Sequence, residues 1–261
     1  MDDQLVIAGK TFSSRLMLGT GRYRNNEEMI KSIESSGAEI LTVAIRRLDL
    51  SNPNEKTVLD FFDWEKYTIL PNTAGCRSAE EAVLTAKLAR EVTKTNWIKL
   101  EVVPHPDYLL PDPIGTYEAA VELISEGFVV LPYIHADPIL AMNLEEAGCA
   151  TVMPLGSAIG SGNGIQTFEE ITTIVKESTV PVIVDAGLGV PSDASLALEM
   201  GADAVLVNSA IAQAADPVMM GDAFKDGVLA GRKAFRAGRI SRQSSGQASS
   251  PTQGLISSKK D

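Results

Sequence analysis

Cysteine and histidine are scarce in this chain: 261 residues contain only Cys76, Cys149, His105 and His135. The cysteines have no metal-like spacing and read as buried thiols in a reducing compartment. Two scattered histidines are too few for a histidine-rich metal site, so no metal is expected. Basic side chains are also in short supply, 23 against 34 acidic ones, for a net charge of −11. That balance argues against non-specific binding to nucleic acid or to an anionic membrane, while leaving room for a local phosphate pocket. No apolar run reaches the length of a bilayer crossing. The opening MDDQLVIAGK lacks the basic start and long apolar stretch of a secretory signal, so a soluble cytoplasmic protein is expected.

What the chain does have is a rhythm. A hydrophobic content of 44% is ordinary for a protein with a substantial core. Short apolar runs at 15–18, 40–44, 67–70, 97–103, 128–134, 150–153, 180–184 and 204–207 read as strands. Amphipathic patterns at 26–36, 78–92, 116–126, 138–147, 167–176, 191–200 and 214–237 read as helices. Ser78 and Thr167 stand where helix caps belong, ahead of Glu80-Glu81 and Glu169-Glu170. Gly37, Gly148 and Gly201 each follow a helix and supply the left-handed turn into the next strand. Eight strands alternating with helices fit either a closed (β/α)8 TIM barrel or an open doubly wound sheet. The single barrel is the expectation, because the chemically interesting residues are spread over the fourth, seventh and eighth strands and no dinucleotide fingerprint follows the first. Leu18-Gly19-Thr20-Gly21 has two glycines but not the rest of that pattern. The barrel is expected over residues 1–240. Residues 241–261, rich in Ser and Gln, read as a flexible tail.

Lys99 lies inside the fourth apolar run, Trp97-Ile98-Lys99-Leu100-Glu101-Val102-Val103. Side chains on a strand alternate, so Lys99 and Glu101 share a face. Burial disfavours an ammonium and lowers its pKa, which would make the amine a nucleophile; a nearby carboxylate opposes that shift but can move protons. Two readings stand at this point: an imine-forming lysine with an acid–base partner, or a lysine on an edge strand reaching back to water.

The loops add an anion site. The seventh strand runs into Asp185-Ala186-Gly187-Leu188-Gly189, which sets an acid at the barrel mouth and lets backbone N–H groups approach an anion. The eighth leads into Asn208-Ser209-Ala210, and these two loops are the usual phosphate cradle of such barrels. The sixth is followed by Gly156-Ser157-Ala158-Ile159-Gly160-Ser161-Gly162-Asn163-Gly164, a backbone-rich wall suited to a phosphate or a peptide tail. After the fourth strand, residues 104–113 carry four prolines and read as a stiff rim or a rigid connector. His105 on that rim is either a proton-transfer helper or a surface residue. Arg46-Arg47 read as a structural or binding pair.

In combination, SRLMLGTGRY, LPNTAGCRSAEEAV, WIKLEV, LLPDP, VMPLGSAIGSG, VDAGLGVPSDA and GADAVLVNSAIA resemble the thiazole synthase family, the ThiG-type enzymes of thiamine biosynthesis. The likeness runs from about Leu5 to Arg239, and Ala248-Ser249-Ser250-Pro251 resembles the family's C-terminal ending. The resemblance implies a (β/α)8 barrel that condenses 1-deoxy-D-xylulose 5-phosphate, dehydroglycine and sulfur from the thiocarboxylate of the small carrier ThiS. It implies Lys99 as the Schiff-base residue, Glu101 and Asp185 as acid–base carboxylates, and Gly160, Ala186-Gly187 and Asn208-Ser209 as binders of the sugar phosphate. It further implies no metal or organic cofactor and assembly as a homodimer or homotetramer. Dehydroglycine would come from a separate oxidase or tyrosine lyase.

The chain departs from the family at His135-Ala136-Asp137, where an asparagine and acids are common, at Ser209 for Thr, and at Val190 for Thr. None of these removes an assigned chemical group. A lysine-imine aldolase on another phosphosugar and a non-catalytic binding scaffold are the rival readings. A requirement for a thiocarboxylate donor separates the first from thiazole synthesis, and an inert Lys99→Ala change would favour the second.

Overall fold

Alternation along the strands decides the architecture. In the computed structural model, which describes residues 3–47 and 57–247, Leu16 and Leu18 pack outward against helices while Met17 points inward. The same division holds for Ile98 and Leu100 against Lys99. The barrel strands are β3 (Leu16–Gly19), β4 (Ile40–Ala44), β5 (Thr68–Asn72), β6 (Trp97–Leu100), β7 (Val129–Ile134), β8 (Met153–Pro154), β9 (Ile183–Asp185) and β10 (Ala204–Val207). They pair in parallel in the order β8-β7-β6-β5-β4-β3-β10-β9. Bridges Val152↔Val182 and Leu155↔Asp185 join the two ends. The sheet is therefore closed, a single (β/α)8 barrel, and the open-sheet alternative is set aside.

The ring of helices comprises α1 (Asn26–Ser36), α2 (Ala79–Thr93), α3 (Pro113–Ser125), α4 (Pro138–Ala147), α5 (Phe168–Glu177), α6 (Pro191–Glu199), the short α7 (Ser209–Ala212) and α8 (Pro217–Ala237). Ser78 caps α2 by accepting from the Glu81 N–H. Thr167 stands at the start of α5 but makes no cap bond; its hydroxyl donates instead to the Leu155 carbonyl at 2.7 Å. Gly37, Gly148 and Gly201 all adopt positive φ, as expected. Among the described residues no helix is long and apolar enough to cross a membrane.

Two elements go unannounced by the periodicity. An antiparallel hairpin, β1 (Leu5–Ile7) with β2 (Lys10–Phe12), precedes the barrel. Leu5, Ile7 and Phe12 pack against Met17, Ile40, Leu70, Leu131, Met153, Ile183, Ala204 and Leu206, the inward residues of the strands. The hairpin thus stops the N-terminal end of the barrel with apolar side chains. The second is α7, one helical turn immediately after β10. Residues 241–247 are exposed and carry no helix or strand. The rest of the expected tail, with the family-like ending at 248–251, lies outside the described residues.

Asp3 anchors the stopper. Its carboxylate accepts from Arg232 Nη2 at 2.8 Å and Arg15 Nη2 at 3.1 Å, with Arg236 Nη1 at 3.6 Å. The Arg232 hydrogen bond, against a smaller opposing effect of burial, lowers its pKa to about 2. A depressed carboxylate stabilises the fold above its unfolded pKa and loses that contribution as pH falls towards the folded value. Because the group is partly solvated, Asp3→Asn is expected to cost about 1 kcal/mol at pH 7. In urea unfolding the gap to wild type should close near pH 2, and a gap of constant size would show that charge plays no part.

Candidate active site

Strand ends on opposite sides of the barrel converge on one amine. Lys99 is inward on β6, and its Nζ lies 2.6 Å from Glu101 Oε1, two residues on and just past the strand end. Across the barrel, Asp185 at the end of β9 brings Oδ2 to 2.7 Å from the same nitrogen. Lys99, Glu101 and Asp185 are 4%, 6% and 4% exposed, so the edge-strand reading of Lys99 is excluded. The Tyr133 ring on β7 stands 5.2 Å from Nζ, within cation–π range.

Burial is the largest single influence on the Lys99 amine and pushes its pKa down, but Asp185 and Glu101 together outweigh it and hold the pKa above the lysine norm. This corrects the expectation that burial would leave a free amine near neutral pH. One carboxylate was anticipated on the strand; the barrel supplies two, and the resting species is an ammonium. Asp185 itself is raised above the carboxylate norm, chiefly by burial, against the lowering effect of Lys99. It is therefore an acceptor ready for the lysine proton. The Tyr133 phenol is pushed up by burial, then by Asp185 and Glu101, and stays protonated while donating to the Leu109 carbonyl at 3.3 Å.

The backbone around these groups is fixed by hydroxyls. Thr73 Oγ1 donates to the Glu101 carbonyl and accepts from the Glu101 N–H, both at 2.7 Å. Asn72, paired in register with Lys99, donates to Thr42 Oγ1 at 2.9 Å.

Above the triad opens a cavity of about 870 Å³. Gly160, Ala186, Gly187, Asn208 and Ser209 all line it together with Lys99, Glu101 and Asp185. Gly160 and Ser209 approach across it, a Cβ on Gly160 lying 3.8 Å from Ser209 Oγ. Gly187 has φ +80°, and a Cβ there would stand 2.0 Å from Ser157 Oγ, so only glycine fits between the loops after β8 and β9. Gly19 has ordinary backbone but sits under Asn208, where a Cβ would meet Cγ at 2.6 Å.

Other sequence candidates fall elsewhere. His105 is exposed, stacked on Tyr108 at 4.4 Å, and does not line the cavity. Its loop is a pinned rim: the Asp112 N–H donates to the Val102 carbonyl at 2.8 Å, and Pro106 and Leu109 line the cavity. Arg46 donates to the Gly75 carbonyl at 2.7 Å and pairs with Glu81 at 3.4 Å, a structural tie between loops. The Arg47 side chain lies outside what the structure describes. Asp137 caps α4 through the Ile139 and Leu140 N–H groups. Both cysteines are buried and unpaired. No group of three His, Cys, Asp or Glu side chains suited to a metal occurs among the described residues. Tyr133, Asn72 and Thr73 went unremarked in the sequence, where only position on an inward strand face marks the first two and nothing marks Thr73, just past the end of β5.

A closed (β/α)8 barrel with an ammonium clasped by two buried carboxylates at the C-terminal end of its strands defines a barrel enzyme equipped for amine and proton-transfer chemistry. The family profile described as "Thiazole biosynthesis protein ThiG" matches residues 6–251. The thiazole synthase of Syntrophobacter fumaroxidans is 56% identical, over 98% of this chain and 100% of its own length. The bifunctional protein ThiO/ThiG of a Nostoc species is 54% identical over 98% of this chain, which spans 40% of that longer relative. Among solved structures, the Amycolatopsis orientalis BexX/CysO complex contains a chain 30% identical, with a TM-score of 0.83, covering 92% of this chain and 98% of that one. The chain belongs to the ThiG family, the thiazole synthases of thiamine biosynthesis.

Proposed function

We propose that the enzyme condenses 1-deoxy-D-xylulose 5-phosphate, dehydroglycine and carrier-borne sulfur into thiazole phosphate carboxylate through an imine on Lys99. The observation that carries this reading is the buried Lys99 Nζ set 2.6 Å from Glu101 and 2.7 Å from Asp185 at the floor of the cavity. In this reading the barrel, residues 1–240, is the catalytic unit. The ketose phosphate rests its phosphate on backbone and side-chain groups of Gly160, Ala186-Gly187 and Asn208-Ser209. Asp185 takes the Lys99 proton, and the freed amine adds to the C2 ketone. The carbinolamine loses its hydroxyl as water with a proton returned by a carboxylic acid, which leaves the imine.

Glu101 and Asp185 then take the proton from C3 while one is delivered to the imine nitrogen, which gives an enaminol, and move the C3 hydroxyl proton to C2, so that the imine at C2 becomes an amine and the C3 hydroxyl becomes a ketone. That ketone is the electrophile for thiocarboxylate sulfur. A ThiS-like carrier is the donor; support comes from the BexX chain, whose structure is that of a complex with CysO. Dehydroglycine, supplied by an oxidase or a tyrosine lyase, brings the nitrogen and the carboxylate. The ThiO/ThiG relative supports a close link to a second activity, since it carries both names on one chain. The resemblance implies a homodimer or homotetramer, and a cytoplasmic setting completes the reading.

Borohydride trapping with the ketose phosphate, followed by intact mass and peptide mapping, tests the central step. One reduced adduct on Lys99, absent from Lys99→Ala, is the expected result. A folded protein that traps nothing while the sugar stays intact removes the imine.

A further inference from the structure

Besides the triad, two charged groups line the cavity among the described residues: Arg22, in the loop after β3, and Arg77, just before α2. Neither guanidinium has a hydrogen-bond or ion-pair partner among the described residues, unlike the arginines close to them in the chain. Arg24 is held by Glu28 at 2.5 and 2.9 Å and by the Ala215 carbonyl at 3.1 Å. Arg46 is tied to Gly75 and Glu81. Arg22 also adopts φ +70°, a backbone conformation that costs a non-glycine residue energy and recurs at ligand sites. The Lys99 charge is already matched by Glu101 and Asp185, so two uncompensated cations remain at the mouth of a cavity in a protein of net charge −11.

We infer that Arg22 and Arg77 form a carboxylate-binding rim that receives the small α-imino acid. This inference rests on the reaction proposed above and deepens it. The product carries a phosphate and a carboxylate, so the cavity must hold two anionic groups apart. Glycine-rich loops after β8, β9 and β10 occupy one side of the barrel and suit a phosphate. Arg77 follows the third barrel strand, β5, which stands opposite β9 in the closed ring, and Arg22 follows the first, β3, which pairs with β10 and borders the glycine-rich side. A guanidinium presents two parallel N–H groups that match a planar carboxylate. A carboxylate so held directs the imine carbon and nitrogen inwards, towards the sugar on Lys99.

The test is calorimetric titration with oxamate, a planar two-carbon carboxylate that mimics the imino acid, on the full-length wild type and the Arg22→Gln/Arg77→Gln double variant. Circular dichroism checks that the variant is folded. Oxamate affinity is expected to fall about tenfold or more. The ketose phosphate concentration that half-saturates borohydride trapping on Lys99 should stay within about twofold of wild type. Equal oxamate binding by the two proteins, or none by wild type, overturns the proposal. So does a weakened response to the sugar with oxamate unaffected, which assigns the arginines to the phosphate. A raised requirement for the carrier alone would assign them to the carrier's terminus and overturn it as well. If wild type traps no sugar, the lysine reading fails, while the oxamate titration still decides the rim.

Discussion

Lys99→Met is expected to cost the fold about 3 kcal/mol at pH 7.5 and to remove turnover by on the order of 10⁴-fold or more. Methionine keeps the unbranched shape, so little packing is lost. What goes is the cation between Glu101 and Asp185, which leaves two buried carboxylates facing each other without a counter-charge. Removing one partner from a buried ionic cluster is costly because the others cannot be resolvated. The penalty must depend on pH. Asp185, already raised by burial and now without the Lys99 charge that lowers it, has a folded pKa above its unfolded one, so ionising it destabilises the fold, and the deficit is absent below about pH 4 and grows as pH rises through the raised value. In wild type the Lys99 pKa is raised, so its contribution is complete below the unfolded lysine pKa and is lost only as pH climbs through the folded value, far on the alkaline side. Urea unfolding at pH 5 and pH 7.5 reads the difference directly. A deficit of the same size at both would mean that shape, not charge, was removed, and the clasp would lose its assigned role.

Asp185→Asn should lower kcat by about 10²- to 10⁴-fold while leaving the fold intact. Asparagine fills the same space at the end of β9 but takes no proton from the ammonium. With one carboxylate gone, the Lys99 pKa falls towards its ordinary value, because Asp185 is the larger of the two carboxylate influences on it. Glu101, 2.6 Å from Nζ, remains to take the lysine proton in place of Asp185, so the amine still condenses with the sugar, and borohydride should trap an adduct on Lys99 although turnover has collapsed. The pH–rate profile should also lose the limb that reports Asp185. Turnover within about tenfold of wild type, with the profile unchanged, would take Asp185 out of the proton path.

How much of this could be read from residues alone follows from the range over which each feature is encoded. Lys99 and Glu101 share a face because strand alternation is local, and both stand where expected. Asp185 at the end of a strand was legible for the same reason, as were the loop residues 160, 186–187 and 208–209 as lining of one cavity. The protonation state of Lys99 was not. It depends on the 2.7 Å contact between β6 and β9, which exists only once the barrel has closed. Tyr133 is hidden by the same distance in sequence. Strand limits were over-read at 97–103, where the ladder stops at Leu100 and Glu101 continues into the loop. The hairpin β1–β2 escaped because three-residue strands hold too few alternations to register. Thr167 looks like a cap by residue type, yet a nearby carbonyl of β8's loop claims its hydroxyl.

The apolar stopper under the barrel has a kinetic consequence. With Leu5, Ile7 and Phe12 filling the base, the site is a well, not a tunnel, and everything enters and leaves through one opening. On the proposed reaction, the reactant that bonds to Lys99 at the floor must arrive before anything that occupies the neck. A carrier tail inserted early would shut out the sugar, so excess carrier should slow an enzyme that has not yet been charged with sugar and spare one that has. Order of addition, in such a well, is a property of the hairpin as much as of the chemistry above it.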